Sequence, residues 1–261
     1  MDDNIIKKMM DQADDDDNFL PGIYNYCDRW CERCSFTDRC MNYATFMELE
    51  QEESDEISAS EKTSALINSI FNDVLSFLKE EAEKAGVDLN EEIDMSDYES
   101  ARERAHSHPL ANRSYEYFQL VNKWIKSRGE FVRGKADEFI QFAELGLDED
   151  KIEENLHEFH DALEVIQWYF TLIRVKIIRA LRTKFYDPLD DPESNKEQYY
   201  IQAKVAWLGC EKSLEAWRVL YEFLTEDEDK ILDILAYLDR LMKDIAKEFP
   251  GIETFKRPYF D

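Results

Sequence analysis

Glycine and proline are scarce in this sequence, 7 and 6 of 261 residues, and no long apolar run occurs. The first scarcity removes the punctuation that a protein of strands and tight turns needs, and leaves long helices as the expected element. The second excludes a membrane-spanning helix, which needs about 20 predominantly apolar residues. Gly-rich phosphate loops of the G-x-x-x-x-G-K and G-x-G-x-x-G kinds are missing, as are a G-x-S-x-G elbow and an H-E-x-x-H pair. Nucleotide-binding, hydrolase and metalloprotease chemistry therefore find no motif to work with. Basic charge is also short: 32 Lys plus Arg stand against 59 Asp plus Glu, a formal charge of −27. Such a field repels nucleic-acid phosphate and anionic lipid, so neither nucleic acid nor membrane is an expected partner. The basic run Arg174–Lys184 alternates with Ile177, Ile178, Ala180 and Leu181, which reads as charged stems snorkelling around a core at a helix C-terminus.

The start, MDDNIIKKMM, has no basic stretch ahead of an apolar run, so no secretory signal is expected and the expected location is cytoplasmic. Under reducing conditions, clustered cysteines serve metals or redox chemistry more often than structural disulfides.

Helical periodicity is abundant. Residues 1–19 form an acidic N-terminal arm, 20–49 carry the cysteines, and 58–261 form the helical body, with the acidic stretch Glu48–Glu56 between the last two. Ser58 and Glu61 have capping-box spacing ahead of Ile67, Ile70, Val74 and Phe77, and Ala85-Gly86 ends that helix. Ser96 and Glu99 repeat the capping pattern for a short helix that His108-Pro109 interrupts. The next helix carries Leu110, Tyr117, Val121 and Trp124, with Gly129 and Gly134 bracketing its end, and Phe131–Leu145 follows, closed by Gly146. A heptad seam then runs through Ile152, Leu156, Phe159, Leu163, Ile166, Phe170, Ile173, Ile177 and Ala180. Asp187-Pro188 and Asp191-Pro192 break the chain. A further seam joins Tyr200, Ala203, Trp207, Cys210, Leu214, Trp217, Tyr221 and Leu224. Thr225 and Glu228 are spaced to cap a last helix with Ile231, Ile234, Leu238, Leu241, Ile245 and Phe249 on one face. Period-two alternation is absent. The expected fold is all-α, an antiparallel helical bundle with an N-terminal four-cysteine metal-binding segment. Its heptad seams suit a closed monomer and a homodimer alike.

Four of the 5 cysteines, Cys27, Cys31, Cys34 and Cys40, lie in YCDRWCERCSFTDRCMNY with the spacing C-x3-C-x2-C-x5-C. Four soft thiolates suit tetrahedral zinc or an iron–sulfur cluster. Structural zinc sites usually pair their cysteines as two knuckles around a longer loop. A string of thiols in one short segment suits a [4Fe–4S] cluster better, with Tyr24, Tyr26, Trp30, Phe36 and Tyr43 as an apolar shell. Zinc, stapling the segment to an acidic surface that binds a protein partner, is the alternative. Cys210 falls inside an apolar seam and reads as a small core residue.

The stretch Cys31–Cys40, CERCSFTDRC, resembles the C-x2-C-x5-C element of RecB-type nucleases that carry an iron–sulfur cluster, and is similar to the auxiliary-cluster segment of some radical S-adenosylmethionine maturases. The resemblance implies a cluster held by these cysteines, serving electron transfer, redox sensing or structure and meeting a redox partner. Cys27–Cys34 also has the C-x3-C-x2-C spacing of the radical enzymes themselves. That class needs a βα barrel and an open iron site, and this chain offers neither strands nor fewer than four nearby cysteines.

Glu103 with His106 and Glu154 with His157 are both E-x-x-H, the pair that ferritin-like di-iron oxidases repeat; Glu116, Glu164 and Glu211 would supply further ligands. With Leu156 at heptad position a and Phe159 at d, Glu154 and His157 fall on the back of the seam. Inward-pointing ligands are therefore not expected there.

Overall fold

The structure is a computed structural model, described for residues 18–51, 71–72, 74–84, 86, 94–144, 149–188 and 190–261. Every regular element among these residues is helical and none is a strand, as the scarcity of turn residues leads one to expect. The arm before residue 18, the Ser58–Glu61 pair, Ile67, Ile70, Leu145 and Gly146 lie outside the described residues. Contacts divide the chain into two compact units, Met1–Asp94 and Met95–Asp261.

In the first unit, three 3-10 turns, Ile23–Asn25, Cys31–Arg33 and Thr37–Arg39, lead into α1 (Met41–Gln51). Helix α2 covers 74–84. Gly86, at φ 69°, donates its N–H to Glu83 O at 3.2 Å, the left-handed stop expected at Ala85-Gly86.

The second unit contains α3 (Ser96–Ser107), α4 (Pro109–Glu144), α5 (Glu149–Phe185), α6 (Pro192–Phe223) and α7 (Glu228–Glu248). Side-chain pairs fix the helix directions. Phe118 stacks on Phe170 at 5.4 Å and Arg174 covers Tyr115 at 4.4 Å, so α4 and α5 run in opposite senses. Phe159 meets Phe223, and Lys176 donates to Gln202 Oε1 at 3.0 Å, so α6 opposes α5. Tyr237 donates to Glu116 Oε2 at 2.6 Å and Trp124 Nε1 to Asp227 Oδ2 at 3.2 Å, so α7 opposes α4.

Helix α7 follows its sequence pattern closely. Ile231, Ile234, Leu238, Leu241, Ile245 and Phe249 are all buried, while Lys243 and Asp239 pair at 2.7 Å on the solvent side. Each such aliphatic side chain contributes about 1.5–3 kcal/mol when fully buried. Helix α6 is buried over a wider arc than its seam: Ile201, Ala206, Gly209, Ser213, Ala216 and Leu220 join Ala203, Cys210 and Trp217 inside. Gly209 permits a close approach to α5, because a Cβ there would lie 2.9 Å from Tyr169 Cδ1. Lys204 is buried as well, and donates to Ile252 O and Glu253 O at 3.1 and 2.9 Å, holding the segment after α7.

Several local expectations fail. Gly129 and Gly134 do not end a helix: α4 continues through both, and a helix interior tolerates glycine at roughly 1 kcal/mol each. Ser96 does not cap α3; Met95 occupies the cap position and makes no side-chain cap bond, while Asp97 and Glu99 supply negative charge to the first turn. Thr225 opens a 3-10 turn, Thr225–Asp227, and Asp227 precedes α7. Asp191, read as a break, is a working N-cap: its Oδ1 accepts from Ser194 N at 3.2 Å, with Pro192 at the first helical position.

Candidate metal centre

The cysteine segment is built almost wholly from turns. Leu20 O accepts from Ile23 N at 3.3 Å around Pro21-Gly22, with Gly22 at φ 65°, which is the demand that Pro-Gly meets in a type II turn. Leu20 N donates to Arg39 O and Arg39 Nε to Asn18 O, both at 3.0 Å, so the ends of the segment are tied together. Ile23, 2 % exposed, is its apolar anchor.

Each thiol sits at the edge of a turn. Cys27 follows the first turn, and its Sγ donates to Tyr24 O at 3.5 Å. Cys31 opens the second turn and Cys34 closes it, with Cys34 N donating to Cys31 O at 3.1 Å. Cys40 ends the third, and its carbonyl accepts from Tyr43 N and Ala44 N, starting α1. Between Cys27 and Cys31 the chain reverses through an Asx turn, Trp30 N to Asp28 Oδ1 at 3.2 Å, and Arg29 adopts φ 61°. A left-handed arginine is uncommon, and nothing in its sequence context announces it. Arg33 covers the Trp30 ring at 4.0 Å.

All four thiols are half-buried and free of disulfides. Burial pushes the Cys31 thiol up, and the neighbouring charges of Cys27, Cys34 and Cys40, then Glu32, push it further. The fold therefore keeps the other three sulfurs within electrostatic reach of Cys31. Phe36 N donates to Cys34 Sγ at 3.4 Å, the kind of backbone hydrogen bond that stabilises a thiolate and orients a ligand. Among the described residues, no three His, Cys, Asp or Glu side chains stand together as a metal's ligands do. The donor chemistry nevertheless fits a soft metal: thiols alone, half out of water, with a backbone N–H on one sulfur.

The other candidates are dispersed. Glu103, His106, Glu154 and His157 are exposed. Glu116 is taken by Tyr237, Glu164 faces His160 Nδ1 at 3.5 Å, and Glu211 lies half-buried on α6. Cys210 is sealed in the core, and burial drives its thiol pKa far above the usual range, so it is inert.

Set against known proteins, the chain matches no family model, no curated protein and no solved structure. Among the described residues, no helix is long and apolar enough to cross a membrane.

Proposed function

We propose that this is a metal-binding helical protein in which Cys27, Cys31, Cys34 and Cys40 hold a [4Fe–4S] cluster used for electron transfer, redox sensing or structure, in a chain that also forms an antiparallel helical bundle. The observation that carries the reading is four half-buried thiols strung along one short run of turns, with the Phe36 N–H on Cys34 Sγ; burial, and then the charges of Cys27, Cys34 and Cys40, raise the Cys31 thiol among them. A buried thiol whose ionisation is opposed in the free protein is well suited to a cation, because binding releases its proton and supplies the compensating charge. The Phe36 N–H on Cys34 Sγ would raise the reduction potential of a cluster bound there. On this reading the protein meets a redox partner in the cytoplasm.

Structural zinc is the second reading, with the acidic surface of the bundle binding a protein. The Cys31–Cys34 turn favours it, since C-x2-C closed by a backbone hydrogen bond is a knuckle spacing.

The ligand assignment is tested by changing Cys27, Cys31, Cys34 and Cys40 together to Ser in the full chain and measuring bound iron, sulfide and zinc after oxygen-free purification. The variant should lose its metal while Cys210→Ser keeps it. Metal retained at wild-type stoichiometry by the four-site variant would overturn the assignment.

A further inference from the structure

A cavity of about 230 Å³ lies in the second unit where the first turn of α3, the last turn of α5 and the first turns of α6 meet. One of its walls is aromatic: Tyr98 and Tyr186 pack edge to face, 5.7 Å between centroids and 82° between planes. One cation lines it. Arg182 Nη1 donates to Tyr98 Oη at 3.0 Å, with the guanidinium carbon 5.5 Å from the Tyr98 centroid, so the positive charge is fixed on the α3 side. Two carboxylates also line it. Asp191 is held on the α6 side by its bond from Ser194 N, and Asp187 lies on the connection between α5 and α6. Asn195, another lining residue, is anchored to α5 by its bond from Nδ2 to Thr183 O at 3.0 Å.

The cavity thus presents one positive and two negative groups beside an aromatic wall, in a protein that carries −27 overall. A simple anion meets two carboxylates, and a plain diamine meets Arg182 with nothing to offer it. We propose that the cavity is a binding site for a small basic amino acid. The ligand carboxylate lies against Arg182, its two cationic groups lie against Asp187 and Asp191, and its methylenes lie along the wall that the packed rings of Tyr98 and Tyr186 form. Charge is matched group for group. A tyrosine uses one guanidinium N–H and the fork carries five, so a carboxylate can share it. The cation–π attraction of the tyrosine faces and the protein's negative field favour the ligand's net positive charge.

The test is calorimetric and NMR titration of the full chain with L-lysine, with cadaverine, which lacks the carboxylate, and with L-glutamate, which reverses the net charge. L-lysine should bind saturably with a dissociation constant below about 1 mM. Cadaverine should bind at least about tenfold more weakly, and L-glutamate not at all. Asp187→Asn and Asp191→Asn should each weaken L-lysine at least about tenfold, and Asp191→Asn should do so without lowering the melting temperature of the free protein, because Asn still caps α6. Arg182→Gln should erase the preference for L-lysine over cadaverine. The proposal is overturned if L-lysine fails to saturate, if cadaverine or L-glutamate binds as well, or if the Asn variants bind L-lysine as tightly as the native chain.

Discussion

The buried carboxylate of Asp227 shows how one side chain joins two helices. It is 1 % exposed at the start of α7 and accepts from Trp124 Nε1 at 3.2 Å, Arg128 Nη2 at 2.5 Å and Lys230 Nζ at 2.7 Å. Burial raises its pKa, but the hydrogen bonds and charges of Lys230 and Arg128 outweigh it and hold the carboxyl below the ordinary range. A folded-state pKa below the unfolded one stabilises the fold above the unfolded value of about 4, and that contribution is lost as pH falls through the folded value. Asp227→Asn should therefore cost about 2 kcal/mol in urea unfolding at pH 7 and flatten the acid limb of the stability profile. An unaltered acid limb would show that the network contributes nothing. Gly209 makes the opposite point. Alanine would gain about 1 kcal/mol of helix propensity, yet its Cβ would stand 2.9 Å from Tyr169 Cδ1 and 3.0 Å from Ile173 Cγ1. Crowding of that kind costs about 1–3 kcal/mol, so Gly209→Ala should lower the urea midpoint rather than raise it. Neither residue was legible beforehand: Asp227 sits in the acidic run Thr225–Asp229, and a lone glycine in a seam does not name its neighbour.

At the scale of the element, periodicity was the reliable signal. The α7 seam is buried along its whole length because five turns of Ile and Leu at three-four spacing leave the helix no other way to shed apolar surface. Punctuation was less reliable. S-x-x-E recurs by chance in a chain this rich in glutamate, and the sequence cannot say whether the serine stands just outside the first turn or within it. Glycine misleads in the same way at positions 129 and 134, through which α4 runs unbroken. At both, a Cβ would meet nothing within 4 Å, and neither has a positive φ. Gly129→Ala and Gly134→Ala should each stabilise the protein by roughly 0.5–1 kcal/mol in thermal unfolding. A loss of stability in either variant would mean that α4 is interrupted there after all.

Across the whole molecule, charge and thiols divide the chain. The second unit specifies itself by burial, whereas the stretch from Cys27 to Cys40 has few apolar residues, three acid–base neighbours (Asp28-Arg29, Glu32-Arg33, Asp38-Arg39) and only short turns. Its spacing made the four thiols legible as a set; the tie between Leu20 and Arg39 and the left-handed Arg29 were not, because both depend on how the turns close. Such a segment gains most from a bound metal, which supplies the folding energy that a core would otherwise provide. Chelation should lower the melting temperature of the holoprotein while its far-ultraviolet helical signal at 25 °C stays nearly unchanged. The central claim is tested most directly by purifying the protein without oxygen and measuring its spectrum with its iron, sulfide and zinc content. A brown protein with broad absorption near ~400 nm and iron and sulfide in comparable amounts is the predicted result; a colourless protein with one zinc per chain, or with no metal, would contradict it.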